Sequence, residues 1–137
     1  MRRSRPLVAS ACALAALTAG GCGQSDDRAT VRSTTERFLA AYKADEGDTA
    51  CAALSQDTRK ELESQEKKSC AEAIGDVELK EGAVDRVEVD ITNAKVDLDS
   101  GETVFLSEEA VGWRIAAVGC KPEGEPRKRP MDCELQA

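Results

Sequence analysis

The fold turns on the stretch Arg86-Val87-Glu88-Val89-Asp90-Ile91-Thr92-Asn93-Ala94-Lys95-Val96-Asp97-Leu98. Val87, Val89 and Ile91 alternate with Arg86, Glu88 and Asp90, the period of two that sets apolar side chains on one face of a strand. The apolar parity flips at Thr92-Asn93, where Ala94, Val96 and Leu98 take the alternation up, so a short turn or bulge belongs there. Asp99-Ser100-Gly101 is a stronger turn signal. Residues 102–107 and 112–119 supply two more strands, joined across Glu108-Glu109-Ala110. Upstream, Val77 and Leu79 alternate with Asp76, Glu78 and Lys80 until Gly82 breaks the run. Strands that succeed one another through short connections predict an antiparallel meander.

Before Gly75 the period is 3.6. From Asp27 to Ala44, Val31, Thr35, Phe38 and Tyr42 share one helix face, and Leu39 and Ala41 widen it. Gly47 is expected to stop this helix and Asp48 to cap the next. A short helix carries Cys51 and Leu54. A third, over about residues 57–74, has Leu62, Cys70 and Ile74 as its sparse apolar side. Helices first and a one-sided sheet after them predict an α+β domain in which the helices cover an antiparallel sheet.

The N-terminus opens with Arg2, Arg3 and Arg5, and an apolar run from Leu7 to Leu17 follows. A positive region followed by a short apolar one describes a secretory signal peptide, since a bilayer span needs ~20 apolar residues. The run ends in Leu17-Thr18-Ala19-Gly20-Gly21-Cys22-Gly23, which resembles the lipobox of bacterial lipoproteins. The resemblance implies that residues 1–21 are removed and that Cys22 receives a diacylglyceryl group. The membrane is then a partner, and the chain an extracytoplasmic protein anchored to the cell membrane by lipid. Two acyl chains hold stably where one holds only marginally. An ordinary signal peptide cut near Gly21, with Cys22 an unmodified thiol, is the competing reading. Residues 22–28 are small or polar and read as a tether; residues 29–137 form the domain.

Loss of Arg2, Arg3 and Arg5 leaves 16 basic against 26 acidic side chains, a net charge of −10. That balance argues against nucleic acid as a partner and against a basic membrane patch. Cys12 leaves with the signal and Cys22 takes lipid, so Cys51, Cys70, Cys120 and Cys133 remain. Four cysteines allow three connectivities. In an exported chain an even set means disulfides, and the local pairs Cys51–Cys70 and Cys120–Cys133 are expected because each lies within one structural region. A zinc site fails on spacing, because there is no CxxC and no histidine anywhere. No metal and no cofactor are expected.

Further landmarks carry a resemblance. They are Val31, Phe38-Leu39-Ala40-Ala41-Tyr42, Gly47-Asp48, Val87-x-Val89, Ala94-x-Val96 and Gly112-Trp113-Arg114-Ile115, with Gly119-Cys120-Lys121-Pro122 and Met131-Asp132-Cys133-Glu134-Leu135 closing the chain. In this order they resemble the NTF2-like (cystatin-like cone) superfamily, and more narrowly its small lipoproteins from high-GC Gram-positive bacteria. The resemblance covers about residues 29–137. It implies a curled sheet with helices over its concave face, a conical pocket between them, and a tail closed by a disulfide. Phe38, Tyr42 and Trp113 are the candidate pocket lining, and a small apolar ligand or an envelope protein is the candidate partner. Enzymes of the superfamily, such as ketosteroid isomerases, place a tyrosine hydroxyl in the first helix to stabilise an oxyanion. Phe38 stands at that position here and has no hydroxyl. Without histidine there is no His-based acid–base or triad chemistry, so a non-catalytic binding domain is the expectation. The alternative is an isomerase- or hydrolase-like enzyme using Tyr42 and a strand carboxylate. Lys121, Arg127, Lys128 and Arg129 make a basic island in the last loop.

Overall fold

The structure, a computed structural model, describes residues 22–122 and 131–137. The leader at 1–21 and the loop basic residues Arg127, Lys128 and Arg129 lie outside the described residues. Four helices come first: α1 (Cys22–Lys43), α2 (Gly47–Ala53), α3 (Gln56–Glu66) and α4 (Cys70–Ala73), followed by a 3-10 turn, Ile74–Asp76. Six strands follow: β1 (Val84–Asp90), β2 (Asn93–Leu98), β3 (Thr103–Glu109), β4 (Gly112–Pro122), β5 (Met131–Asp132) and β6 (Leu135–Gln136). The sheet is an antiparallel meander in the order β1-β2-β3-β4-β5, with β6 also pairing β4. This is an α+β fold with the helices packed on the sheet.

Valine-rich alternation builds the sheet because β-branched side chains fit a pleated, half-buried surface. Val96, Val104, Leu106 and Ile115 turn inward and are fully buried against Val31 and Phe38 of α1 and Leu62 of α3. Burying each such side chain contributes roughly 1.5–3 kcal/mol. The sheet curls at β4, which carries two extra residues opposite β3. Thr103 pairs with Cys120 but Phe105 with Ala117, and Leu106 then pairs with Ile115. Bulges of this kind bend the strand and increase its twist. Gly119, in the first of them, has a φ of +66°, and a Cβ there would meet the Glu134 side chain at 2.6 Å. The second bulge frees backbone groups that the helical layer captures: the Ala116 carbonyl accepts from Thr58 Oγ1 at 2.8 Å, and the Ile115 carbonyl from Ser55 N at 2.7 Å. Ser55 also caps α3, accepting from Thr58 N. One Ser/Thr pair thus starts a helix and docks it on the bend of the sheet.

The disulfides join Cys51 to Cys70 and Cys120 to Cys133, the two expected pairs. The first ties α2 to α4; the second fastens the last short strands alongside β4.

Six local expectations change. Residues 22–28, read as a tether, are the opening turns of α1, because their small and polar side chains tolerate a helix that is held by packing further along. The left-handed residue ending α1 is Asp45, with φ +58°, and not Gly47. Glu46 N donates to Ala41 O and Asp45 N to Tyr42 O, the paired bonds of a Schellman end. Gly47 instead opens α2, where a Cβ would lie 2.2 Å from the Ala71 carbonyl oxygen. Glu46, not Asp48, precedes that helix; Asp48 sits in its first turn, favourably placed for the helix dipole. The third helix is two. Lys67 ends α3 in the left-handed region, and Ser69 restarts the chain in a reciprocal capping box with Glu72. Residues 77–80 pair with no strand, for reasons that shape the candidate site. Finally, Ile91 belongs to the β1–β2 turn and is 83% exposed, not inward-facing.

Candidate functional site

Residues 77–83 run extended past α1 before entering β1, and their backbone is held by side chains instead of a neighbouring strand. The Tyr42 hydroxyl donates to Val77 O at 2.5 Å and accepts from Leu79 N at 3.4 Å. The Glu102 carboxylate accepts from Lys80 N at 3.2 Å, and Asp99 Oδ1 from Ala83 N at 2.8 Å. Asp99 N returns a bond to Ala83 O at 3.0 Å. Alternation in 76–80 therefore reports one-sided burial, which a strapped segment shares with a strand.

Between this segment and α1 lies a cavity of about 500 Å³. Leu39, Ala40, Tyr42 and Lys43 form the helix wall, Leu79 to Ala83 the opposite wall, and Asp99 closes one side. The lining is apolar within and charged at the rim, where Lys43 Nζ and Glu81 Oε1 lie 3.2 Å apart. Both side chains of that pair are well exposed, so it is worth under about 1 kcal/mol and opens readily. Gly82 is required here: a Cβ on it would meet Ser100 Oγ at 2.7 Å.

Behind the segment, Glu102 is 2% exposed. One carboxylate oxygen accepts from Lys80 N; the other makes no hydrogen bond and faces Lys121 Nζ at 3.6 Å. Lys121 also bonds Glu134 at 3.0 Å. That hydrogen bond raises the Lys121 pKa above the ordinary lysine value; burial works against it, and the charges of Glu134 and Glu102 add to it. The backbone donor and the facing cation offset the cost of burying this carboxylate. Nothing in Ser100-Gly101-Glu102-Thr103 marks Glu102 as different from any charge after a turn, so the sequence reading passed over it.

Of the three candidate lining residues, only Tyr42 reaches this cavity. Its ring stacks on Phe38 with centroids 6.4 Å apart, but Phe38 itself is wholly buried in the core. Trp113 is also buried, on the face it shares with Ile115, and lies apart from the cavity lining; Ala117, expected on that face, pairs with Phe105 across the bulge and falls on the other. Its Nε1 donates to Asp27 Oδ1 at 3.2 Å, fastening the start of α1 to the start of β4. The rest of the lining, including the apolar Leu39, Ala40, Leu79 and Ala83, was not among the candidates read from the sequence. Leu39 was visible as a residue at the edge of the apolar helix face. The Tyr42 hydroxyl has its proton committed to a backbone carbonyl, which leaves it a rim-forming strap. Cys22 is the first residue of α1. Among the described residues, no helix is long and apolar enough to cross a membrane. In comparisons with known proteins, the chain matches no family model, no curated protein and no solved structure.

Proposed function

We propose that the chain is an exported NTF2-like domain, anchored by lipid on Cys22, that binds a small apolar molecule or an envelope protein partner without catalysing a reaction. The cavity beside Tyr42 carries this reading. Its volume of about 500 Å³ falls within the ~300–1,000 Å³ of small-molecule sites, and its walls are apolar with a few convergent polar groups. Leu39, Leu79 and the Tyr42 ring supply dispersion and desolvation. Lys43, Glu81 and Asp99 at the rim would orient a polar end. The curled sheet under N-terminal helices supports the NTF2-like assignment, and the Ala19-Gly20-Gly21-Cys22 stretch supports the anchor.

Native mass spectrometry of the lipid-bearing protein, released gently from its own envelope, tests the reading. The expected result is an extra mass that leaves on denaturation and is missing from an Ala83→Trp variant, in which the indole fills the cavity. A clean protein mass, with no partner cross-linked at the cavity rim, refutes it.

A further inference from the structure

We propose that the hairpin-tip end of the sheet docks on the bilayer, with Ile91 and Val111 entering its interfacial layer beside the lipid on Cys22. The proposal rests on the anchor reading above and adds an orientation to it. Ile91–Thr92 joins β1 to β2 and Ala110–Val111 joins β3 to β4, so in a meander both turns lie at one end of the sheet. The two tips are bound side by side, with Glu108 N donating to Thr92 O at 2.8 Å. Ile91 is 83% and Val111 68% exposed, and these are the large apolar side chains left in solvent among the described residues.

The start of α1 lies at the same end. Asp27 is bonded to Trp113, two residues beyond Val111, whereas Arg32 reaches Val84 O at the far end of β1. The helix therefore runs away from the tips. Traced back from Asp27, the five residues to Cys22 extend ~7.5 Å toward them, at 1.5 Å per residue. Since α1 begins at Cys22, no flexible linker separates an anchored residue from the domain. A lipid there holds this end against the headgroups, and apolar tips that project from it meet the interface. Their chemistry fits the interface and not an anionic surface. Asp90, Glu108 and Glu109 stand beside Arg59 and Arg114 around the tips, so no basic patch is present. Docking should then need no anionic lipid and be insensitive to salt.

The test uses the full chain processed in a lipoprotein-making bacterial host and reconstituted in phosphatidylcholine vesicles with brominated acyl chains. Ile91→Trp and Val111→Trp place a reporter at each tip, and Glu78→Trp places one on the opposite end. The expected result is a blue-shifted emission from both tip reporters, with roughly half of the added signal quenched as for side chains 5–10 Å into the interface, and none quenched at Glu78. Tip reporters no more quenched than Glu78, in protein whose mass shows lipid on Cys22, overturn the docking and leave the anchor standing. Tip emission that is blue-shifted but unquenched, and that varies with protein concentration, overturns it in favour of a second copy. A mass without lipid overturns anchor and docking together.

Discussion

Ile91 combines two features that folding alone disfavours. It is a β-branched residue with φ +48°, and its side chain stands in solvent. The left-handed region costs such a residue roughly 1–2 kcal/mol. The Asp90–Asn93 pairing leaves two turn residues, and the first of them is ordinarily glycine, asparagine or aspartate. Ile91→Asn should therefore stabilise the protein by about 1 kcal/mol and raise its thermal midpoint by about 4 °C. Differential scanning calorimetry checks this, and an unchanged or lower midpoint contradicts the strain argument. The substitution should also weaken contact with vesicles, because the strained residue is the one that projects. A side chain that impairs the turn yet is apolar and exposed has its role outside the fold. Gly119 shows the opposite case, in which a positive φ and a close approach to Glu134 leave room for no other residue. Neither property is visible in a hydrophobic alternation, which counts Ile91 with Val87 and Val89.

At the scale of elements, the strands were the most legible part of the sequence. Val87-x-Val89, Ala94-x-Val96-x-Leu98 and the turn at Asp99-Ser100-Gly101 set the meander, because strand parity and turn chemistry are local. The helix breaks were not legible. Lys67 and Asp45 adopt left-handed φ values in the absence of glycine, held by bonds from their own N–H groups to the preceding turn, Lys67 N to Glu63 O and Asp45 N to Tyr42 O. The cavity was legible only in part: Tyr42 lay on the apolar helix face, but its opposite wall forms because Glu102 and Asp99, remote in sequence, hold the backbone of residues 80–83. The helical layer depends on the Cys51–Cys70 bond more than on propensity, since α2 has seven residues and α4 four, too short to stand alone. With 19 residues of separation, closing that loop stabilises the fold by about 3 kcal/mol on the chain-entropy estimate. Replacing both cysteines with alanine should lower stability by about 3 kcal/mol in urea denaturation, with hydrogen exchange accelerating first in residues 47–73. Exchange that rises uniformly instead, at unchanged stability, would show that α2 and α4 are held by packing alone.

For the whole molecule, the titration behaviour follows from which groups are missing. The chain has no histidine, and its four domain cysteines are in disulfides. The two side-chain types whose ordinary pKa values lie nearest neutrality are therefore missing or bonded in the domain. On the acid side Asp97 is burdened by partial burial, but hydrogen bonds from Lys95 and Thr103 and the nearby charges of Lys95 and Arg86 hold its pKa below the ordinary value. Glu72 is lowered by the hydroxyl and backbone N–H of Ser69. A carboxylate whose folded pKa is depressed contributes stability that is present above its unfolded value, about 4, and is lost as pH falls through the lower folded value. Lys68 and Lys121 are raised by hydrogen bonds to Asp76 and Glu134, so their contribution holds below about pH 10 and is lost above it. The two ends leave a plateau. The thermal midpoint should change by less than about 2 °C between pH 5.5 and 8.5, then fall steeply below pH 4. Asp97→Asn should cost under about 1 kcal/mol at pH 7, since the site is largely solvated, and the deficit should shrink as pH falls below about 4 toward the depressed folded value. Thermal melts of both proteins across pH 3–9 decide the matter. A midpoint that slopes through pH 6–8 would require a titrating group absent from the domain as described, and a deficit that does not shrink between pH 5 and pH 3 would assign Asp97 a role in packing instead of charge.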